Sequence, residues 1–265
     1  STSLNEGKGL LPSPWPREAR EHLISLIGAG ESMVSIFEAL DQEEIIFHWI
    51  PEWRALRSLP QRNALHRHTV DRHMVETAVH AAALTRQVHR PDLLLFGALF
   101  HDIGKGSEED HSERGERLIA PIAARIGFSE PDIAVIKILV KQHLLLSATA
   151  TRRDLDDPAT IASVLEVIPD LQTLELLHAL SIADGEATGR QATHHLLLAA
   201  FIKRRDGRTA DQLAGKLQRR RKGRGVGGHY SSGAASGTKA VILKQNGGHW
   251  PPSGIPKRPR QLAAA

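Results

Sequence analysis

The run LLLFGALF, residues 93–100, is apolar on every face of a helix and ends abruptly in His101-Asp102, with Gly104 and Gly106 just beyond. A helix without a polar face has to lie inside the fold, so the rest of the chain must be arranged to cover it. Pro91-Asp92 marks its start, because proline suits the first helical turn. Its end admits two readings. One is a capped core helix followed by an ordinary loop through His111. The other is a metal site built at the end of a buried helix.

The material available to cover that helix is itself helical. In 265 residues with 41% hydrophobic content there is enough for one sizeable core and a smaller appendage. Aromatic residues make up only 4%, Leu and Ala are abundant, and long β-branched alternations are absent. The expected fold class is all-α. Leu23, Ile24, Leu26 and Ile27 share one face, and GAGES (28–32) separates them from a second helix bearing Val34, Ile36, Phe37 and Leu40. IPEWRALRSLPQRN (50–63) reads as a turn-rich connection. Thr69-Val70-Asp71 opens a helix expected to reach about His89, with Val75, Ala78, Val79 and Ala82 inward. After the buried helix, further helices are expected over 112–126 and 131–146, then a polar connection SATATRRDLDDP (147–158), then a helix from Pro158. LQTLELLHALSIADGEATG (171–189) should turn Leu171, Leu174, Leu177, Leu180 and Ile182 inward, and a last helix is expected over roughly 191–205.

Charge divides the chain unevenly. Residues 1–202 hold 19 Lys/Arg against 28 Asp/Glu, whereas residues 203–265 hold 15 against 2. The body is acidic, and the overall charge of +4 comes from the tail. That tail is rich in Gly, Ser, Pro and basic residues without periodicity, so it cannot bury enough apolar surface to offset its chain entropy and is expected to be disordered. Any nucleic-acid binding would rest on it alone and is not expected of the body. No run approaches the ~20 apolar residues of a membrane span, and no signal-peptide pattern opens the chain, which starts at Ser. A soluble cytoplasmic protein or fragment is the expectation.

With no Cys, a metal would have to be held by His and carboxylates. Of the 15 His, the residues His22, His48, His66, His68, His80, His89, His178, His194, His195, His229 and His249 show no pattern and read as surface or satisfied core histidines. His73, His101, Asp102, His111, His143 and Asp184 stand apart. Each lies on or at the end of an expected helix beside apolar residues, where an unpaired charge is costly. Any one of them could be a cap or a core hydrogen-bonding group. Together they could line one cavity and ligate a divalent cation, with Mn, Mg, Fe and Zn all compatible.

The order H…HD…H…H…D around HDIGKG resembles the HD-domain phosphohydrolase superfamily, all-helical metal-dependent enzymes that cleave phosphoester bonds. The stretches PEW, HRHTVDRH, LFHDIGKG, DHSERGE, HLLLSATATRRDLDDPATI and LLHALSIADGEATG are most similar to the HD domain of the PII uridylyltransferase/uridylyl-removing enzyme family, in its actinobacterial form, over roughly residues 16–190. The resemblance implies an HD-domain helical bundle over 61–203, preceded by a helical linker region (1–60) and followed by the basic tail (204–265). It implies a first metal held by His73, His101, Asp102 and Asp184, and a second held by His111 and His143 with Asp102 bridging. His101, Asp102 and Lys105 become the catalytic candidates, with Lys105 in a glycine-flanked turn where it could reach a phosphate or be a solvated loop lysine. Arg152 and Arg153 could contact phosphate or the partner, or be an exposed loop pair.

The implied activity is a metal-dependent phosphodiesterase that removes a nucleotidyl group, UMP or AMP, from a tyrosine of the nucleotidylated PII nitrogen-regulatory protein. Nothing here matches the family's nucleotidyltransferase domain, so transferase activity is not expected, and the ligand-sensing ACT domains are not recognisable. Truncation, or a frameshift near residue 190, would account for the tail. Two alternatives remain: an HD phosphohydrolase acting on a free nucleotide, and a truncated non-catalytic binding module.

Overall fold

The computed structural model describes residues 11–61, 68–154 and 157–188, all within one compact unit. Ten α-helices are formed there: α1 (Arg17–Ile27), α2 (Ser32–Gln42), α3 (Ile45–Trp49), α4 (Val70–Leu84), α5 (Pro91–Phe100), α6 (His111–Ile126), α7 (Glu130–Lys141), α8 (Leu145–Arg152), α9 (Pro158–Val167) and α10 (Leu171–Ala187). The described residues are all-α, as composition required. The expected helix over 191–205, the basic tail and Leu155-Asp156 lie outside the described residues.

α5 is the post on which the rest is hung. Every residue from Leu93 to Phe100 is buried, and α1, α4, α7 and α10 pack around the helix. Each large apolar side chain taken out of water contributes roughly 1.5–3 kcal/mol, so α5 concentrates more burial per turn than any amphipathic helix could. Gly97 lets α7 approach: a Cβ there would stand 3.0 Å from Leu139. One apolar cluster runs from Trp15 and Leu23 through Phe96 and Ile136 to Leu180, so residues on both sides of position 60 share it. Side-chain caps fix where helices begin. Asp110 accepts from the backbone N–H of Ser112 and Glu113, which starts α6 at His111; Ser129, Asp157 and Asp170 cap α7, α9 and α10.

Four local expectations are corrected. The turn-rich stretch 50–63 contains a 3₁₀ helix, Pro51–Ala55, because Trp53 is an anchor, 1% exposed and edge-on to Phe37 and Phe100. α4 stops at Leu84 and a 3₁₀ turn, Thr85–Gln87, follows. Arg90 there bonds both Asp92 and Asp132, drawing the chain sharply into α5. The single helix expected over 131–146 is broken at 142–144 and resumes as α8 through the first half of the expected polar connection. Leu171 is 49% exposed, since it is the first residue of α10 and precedes the stretch that faces the core.

The segment Glu130–Arg152 is more apolar than the sequence reading allowed, being long and apolar enough by composition to cross a membrane. Here it is α7, a turn and α8, burying Ile133, Ile136, Leu139, Val140 and Leu146 in the core. α1 and α2 taken together also pass that test, but they meet at a bend of 120°.

Candidate metal centre

Two helices end in the same way. At the end of α5, His101 Nδ1 lies 2.8 Å from the carbonyl oxygen of Ala98; after α7, His143 Nδ1 lies 2.7 Å from that of Val140. Helix C-termini leave carbonyls without intrahelical partners, and each imidazole satisfies one, three residues back. A carbonyl only accepts, so Nδ1 carries the proton and donates. In the neutral ring, Nε2 is then left as a lone pair directed away from the helix.

Those Nε2 atoms meet carboxylates and other imidazoles. His73, from the first turn of α4, places Nε2 3.0 Å from Asp184 Oδ1 and 3.2 Å from His101 Nε2. Asp184 comes from the last turns of α10. Asp102 stands in the middle, 3% exposed, and divides its oxygens. Oδ2 lies 3.3 Å from His101 Nε2 and 3.7 Å from His73 Nε2; Oδ1 lies 3.5 Å from His143 Nε2 and 3.7 Å from His111 Nε2. The six residues singled out in the sequence are thus brought together. They form two groups able to hold a metal ion, His73/His101/Asp184 and Asp102/His111/His143.

The turn that joins α5 to α6 is built for close approach. A Cβ on Gly104 would run into the backbone of His111, and one on Gly115 would stand 2.8 Å from Val140. Arg114 donates to the carbonyls of Gly104 and Lys105, both at 3.1 Å, clamping the turn from α6. Lys105 is carried inward: its Nζ lies 2.7 Å from Asp102 Oδ2 and 2.6 Å from Gln61 Oε1. Arg152 and Arg153 are exposed at the end of α8, and no bond joins them to the six among the described residues. Gln61 and Arg114 were not singled out in the sequence, although Arg114 lies within the DHSERGE stretch.

The donor set fits divalent cations. Burial would discharge His101, but the Asp102 carboxylate and then Asp184 outweigh it, pushing the pKa up to about 9. Burial prevails at His143, against Asp102 and with the added repulsion of His101, and takes it down to about 4. Burial of Asp184 is overcome by its bond to His73 and the charge of His101, which hold it at about 2. Asp102 is likewise held well below the usual carboxylate range, against its burial, by His101, Lys105 and His143. Two anionic carboxylates in one buried space demand positive charge, and Asp102 Oδ1 has no hydrogen-bond partner among the described residues. Oxygen and imidazole ligands, with two imidazoles oriented by backbone carbonyls, are the ligand types that Mn, Fe, Zn and Mg accept.

Comparison with known proteins agrees with this chemistry. Residues 70–189 match the HD-domain family, a span that contains all six residues. A bifunctional uridylyltransferase/uridylyl-removing enzyme of Streptomyces coelicolor is 53% identical over 211 residues, which is 78% of this chain and 25% of that protein. The protein of the same name from Mycobacterium tuberculosis is 53% identical over 180 residues, 68% of this chain and 22% of its own length. That of Corynebacterium glutamicum is 34% identical over 180 residues, 68% and 26%. The chain therefore spans about a quarter of the length of these curated relatives.

Proposed function

Residues 70–189 belong to the HD-domain family, and from that premise we propose that the chain is the metal-dependent phosphodiesterase part of a uridylyl-removing enzyme. The observation that carries this reading is Asp102, whose Oδ2 faces His73 and His101 while its Oδ1 faces His111 and His143. His73, His101 and Asp184 would hold one cation, His111 and His143 the other, with Asp102 shared. A cation pair held there would supply Lewis-acid charge to phosphoryl oxygens and would make a water more acidic.

The chain's own groups do the rest. Nδ1–H bonds to Ala98 and Val140 hold the His101 and His143 rings so that they need no reorganisation when ligating. His111, 29% exposed, marks the open side from which substrate arrives. Lys105 presents its ammonium beside Asp102, where it meets the negative charge of a phosphodiester. The substrate class is a nucleotidyl-tyrosine ester. The relatives' names favour UMP as the group removed, and the sequence resemblance supports nucleotidylated PII as the partner. The catalytic unit corresponds to residues 61–203, with 1–60 as its helical lead-in and 204–265 as a tail.

The deciding experiment supplies the purified, metal-loaded chain with uridylylated PII, adenylylated PII and free nucleotides. Release of UMP from PII, abolished in Asp102→Asn, is the expected result. Turnover of free nucleotides alone would overturn the substrate assignment.

A further inference from the structure

Lys105 offers three N–H donors. Asp102 Oδ2 takes one at 2.7 Å, and Gln61 Oε1 takes another at 2.6 Å, from 44 residues earlier in the chain. Because an ammonium only donates, this contact settles which end of the Gln61 amide faces the lysine. The other end, Nε2, is buried without any hydrogen-bond partner among the described residues. Leaving a donor buried and unpaired costs stability, so an amide kept for the fold alone would use both its ends, and a side chain kept for packing alone would be apolar. Gln61 uses one end, and spends it on Lys105.

We propose that Gln61 is a positioning residue for the substrate phosphate: its amide oxygen steadies the Lys105 ammonium, leaving the third N–H for a phosphoryl oxygen. This rests on the reading that the site takes a phosphodiester. Lys105 is 21% exposed on a flexible stem, and a carboxylate whose two oxygens serve two cations holds a lysine less firmly than a free one. A second tether keeps the ammonium from swinging into water. That tether has to be neutral, because a carboxylate at position 61 would hold the lysine while cancelling the charge that attracts phosphate.

The test is a double-mutant cycle on the full chain loaded with Mn2+, titrated calorimetrically with inorganic phosphate as the probe. Metal content and melting temperature are measured on every variant. Gln61→Met should weaken phosphate binding roughly three- to tenfold, the worth of one hydrogen bond, with metal content unchanged. Lys105→Met should weaken it more, and adding Gln61→Met to Lys105→Met should change nothing further. Gln61→Glu, which keeps the shape and the tether, should also bind phosphate less tightly than the parent. With a nucleotidyl-tyrosine substrate, Gln61→Met should raise KM while leaving kcat near the parent value. Parental phosphate affinity in Gln61→Met or Gln61→Glu, or an equal loss from Gln61→Met with and without Lys105, overturns the proposal. If the cycle is coupled but the parent cleaves no nucleotidyl-tyrosine, the positioning role stands and the substrate reading falls. Cleavage by the parent with an uncoupled cycle means the reverse.

Discussion

The two groups of candidate metal ligands meet at Asp102 but are built differently. In the inner half, His73 and His101 are fully enclosed, each from a helix packed directly on its neighbours, and Asp184 closes the group from α10. In the outer half, His143 is enclosed but His111 is 29% exposed, standing at the first position of α6 behind a turn that is held by Arg114. Their protonation differs in the same sense. The inner His101 retains a proton up to about pH 9, whereas the outer His143 sheds its own at about 4. One half is thus anchored by the core itself and the other by a turn laid over it. Ligands carried by packed helices are fixed more rigidly than ligands carried by a turn, so the inner half should bind more tightly and exchange more slowly.

The largest effect should come from removing what the halves share. Asp102→Ala should reduce hydrolysis to background. It should weaken metal at both positions by more than the roughly 10–100-fold that loss of an outer-sphere partner costs. Retention of either metal at parental affinity would show that Asp102 does not bridge. Next come the variants that separate the halves. His73→Ala should lower the affinity of the tighter metal, and His111→Ala only that of the weaker, both read as steps in a competitive chelator titration. The comparison breaks if His111→Ala releases the tighter ion first.

Proton linkage gives a third contrast, in the metal-free protein. The His101 pKa is raised on folding, from the ordinary 6.5 to about 9, so its contribution is complete below pH 6.5 and is lost as pH rises through 9. The His143 pKa is lowered to about 4, so the unfolded chain takes up that proton first and stability falls as pH drops from 6.5 towards 4. Melting temperature in the presence of a chelator should therefore peak near pH 6.5. Bound metal displaces the His101 proton, so metal affinity should decline as pH falls below 9. A chelated protein whose stability kept rising from pH 6.5 to 9 would show that His101 carries no proton there.

The inner half was easier to read in the sequence than the outer. LLLFGALF has no polar face, so its burial and the delivery of His101-Asp102 to the interior followed from composition alone. His143 was placed at a helix end, but the break after α7 was not foreseen. The apolar residues continue through Leu146, yet the helix ends at Lys141 and the His143 side chain turns back on the Val140 carbonyl, an event no periodicity records. Trp53 was passed over because proline and arginine around it spell a turn, although an aromatic in a turn is often its anchor. Gln61 and Arg114 were invisible for a simpler reason. Gln61 works through a contact 44 residues away and Arg114 through main-chain carbonyls of the preceding turn, and neither residue type is rare enough to draw notice.

Arg114 supplies the smallest and most selective way to sharpen the contrast. Its guanidinium bonds two carbonyls of the turn and touches neither metal group directly. Charge-assisted bonds to partly buried carbonyls are worth roughly 1.5–3 kcal/mol at most, and solvent at this partly buried position reduces that to about 1 kcal/mol. Arg114→Ala should accordingly lower the melting temperature by only a few degrees. Its effect on the site should be uneven, because Lys105 and His111 lie on either side of the turn it clamps while His73, His101 and Asp184 are held by helix packing. A several-fold weakening of the outer metal and a modest rise in KM are expected, with the inner metal unmoved in the same chelator titration. Equal loss at both positions would mean that the turn and the core are mechanically one, and that the outer half is no looser than the inner.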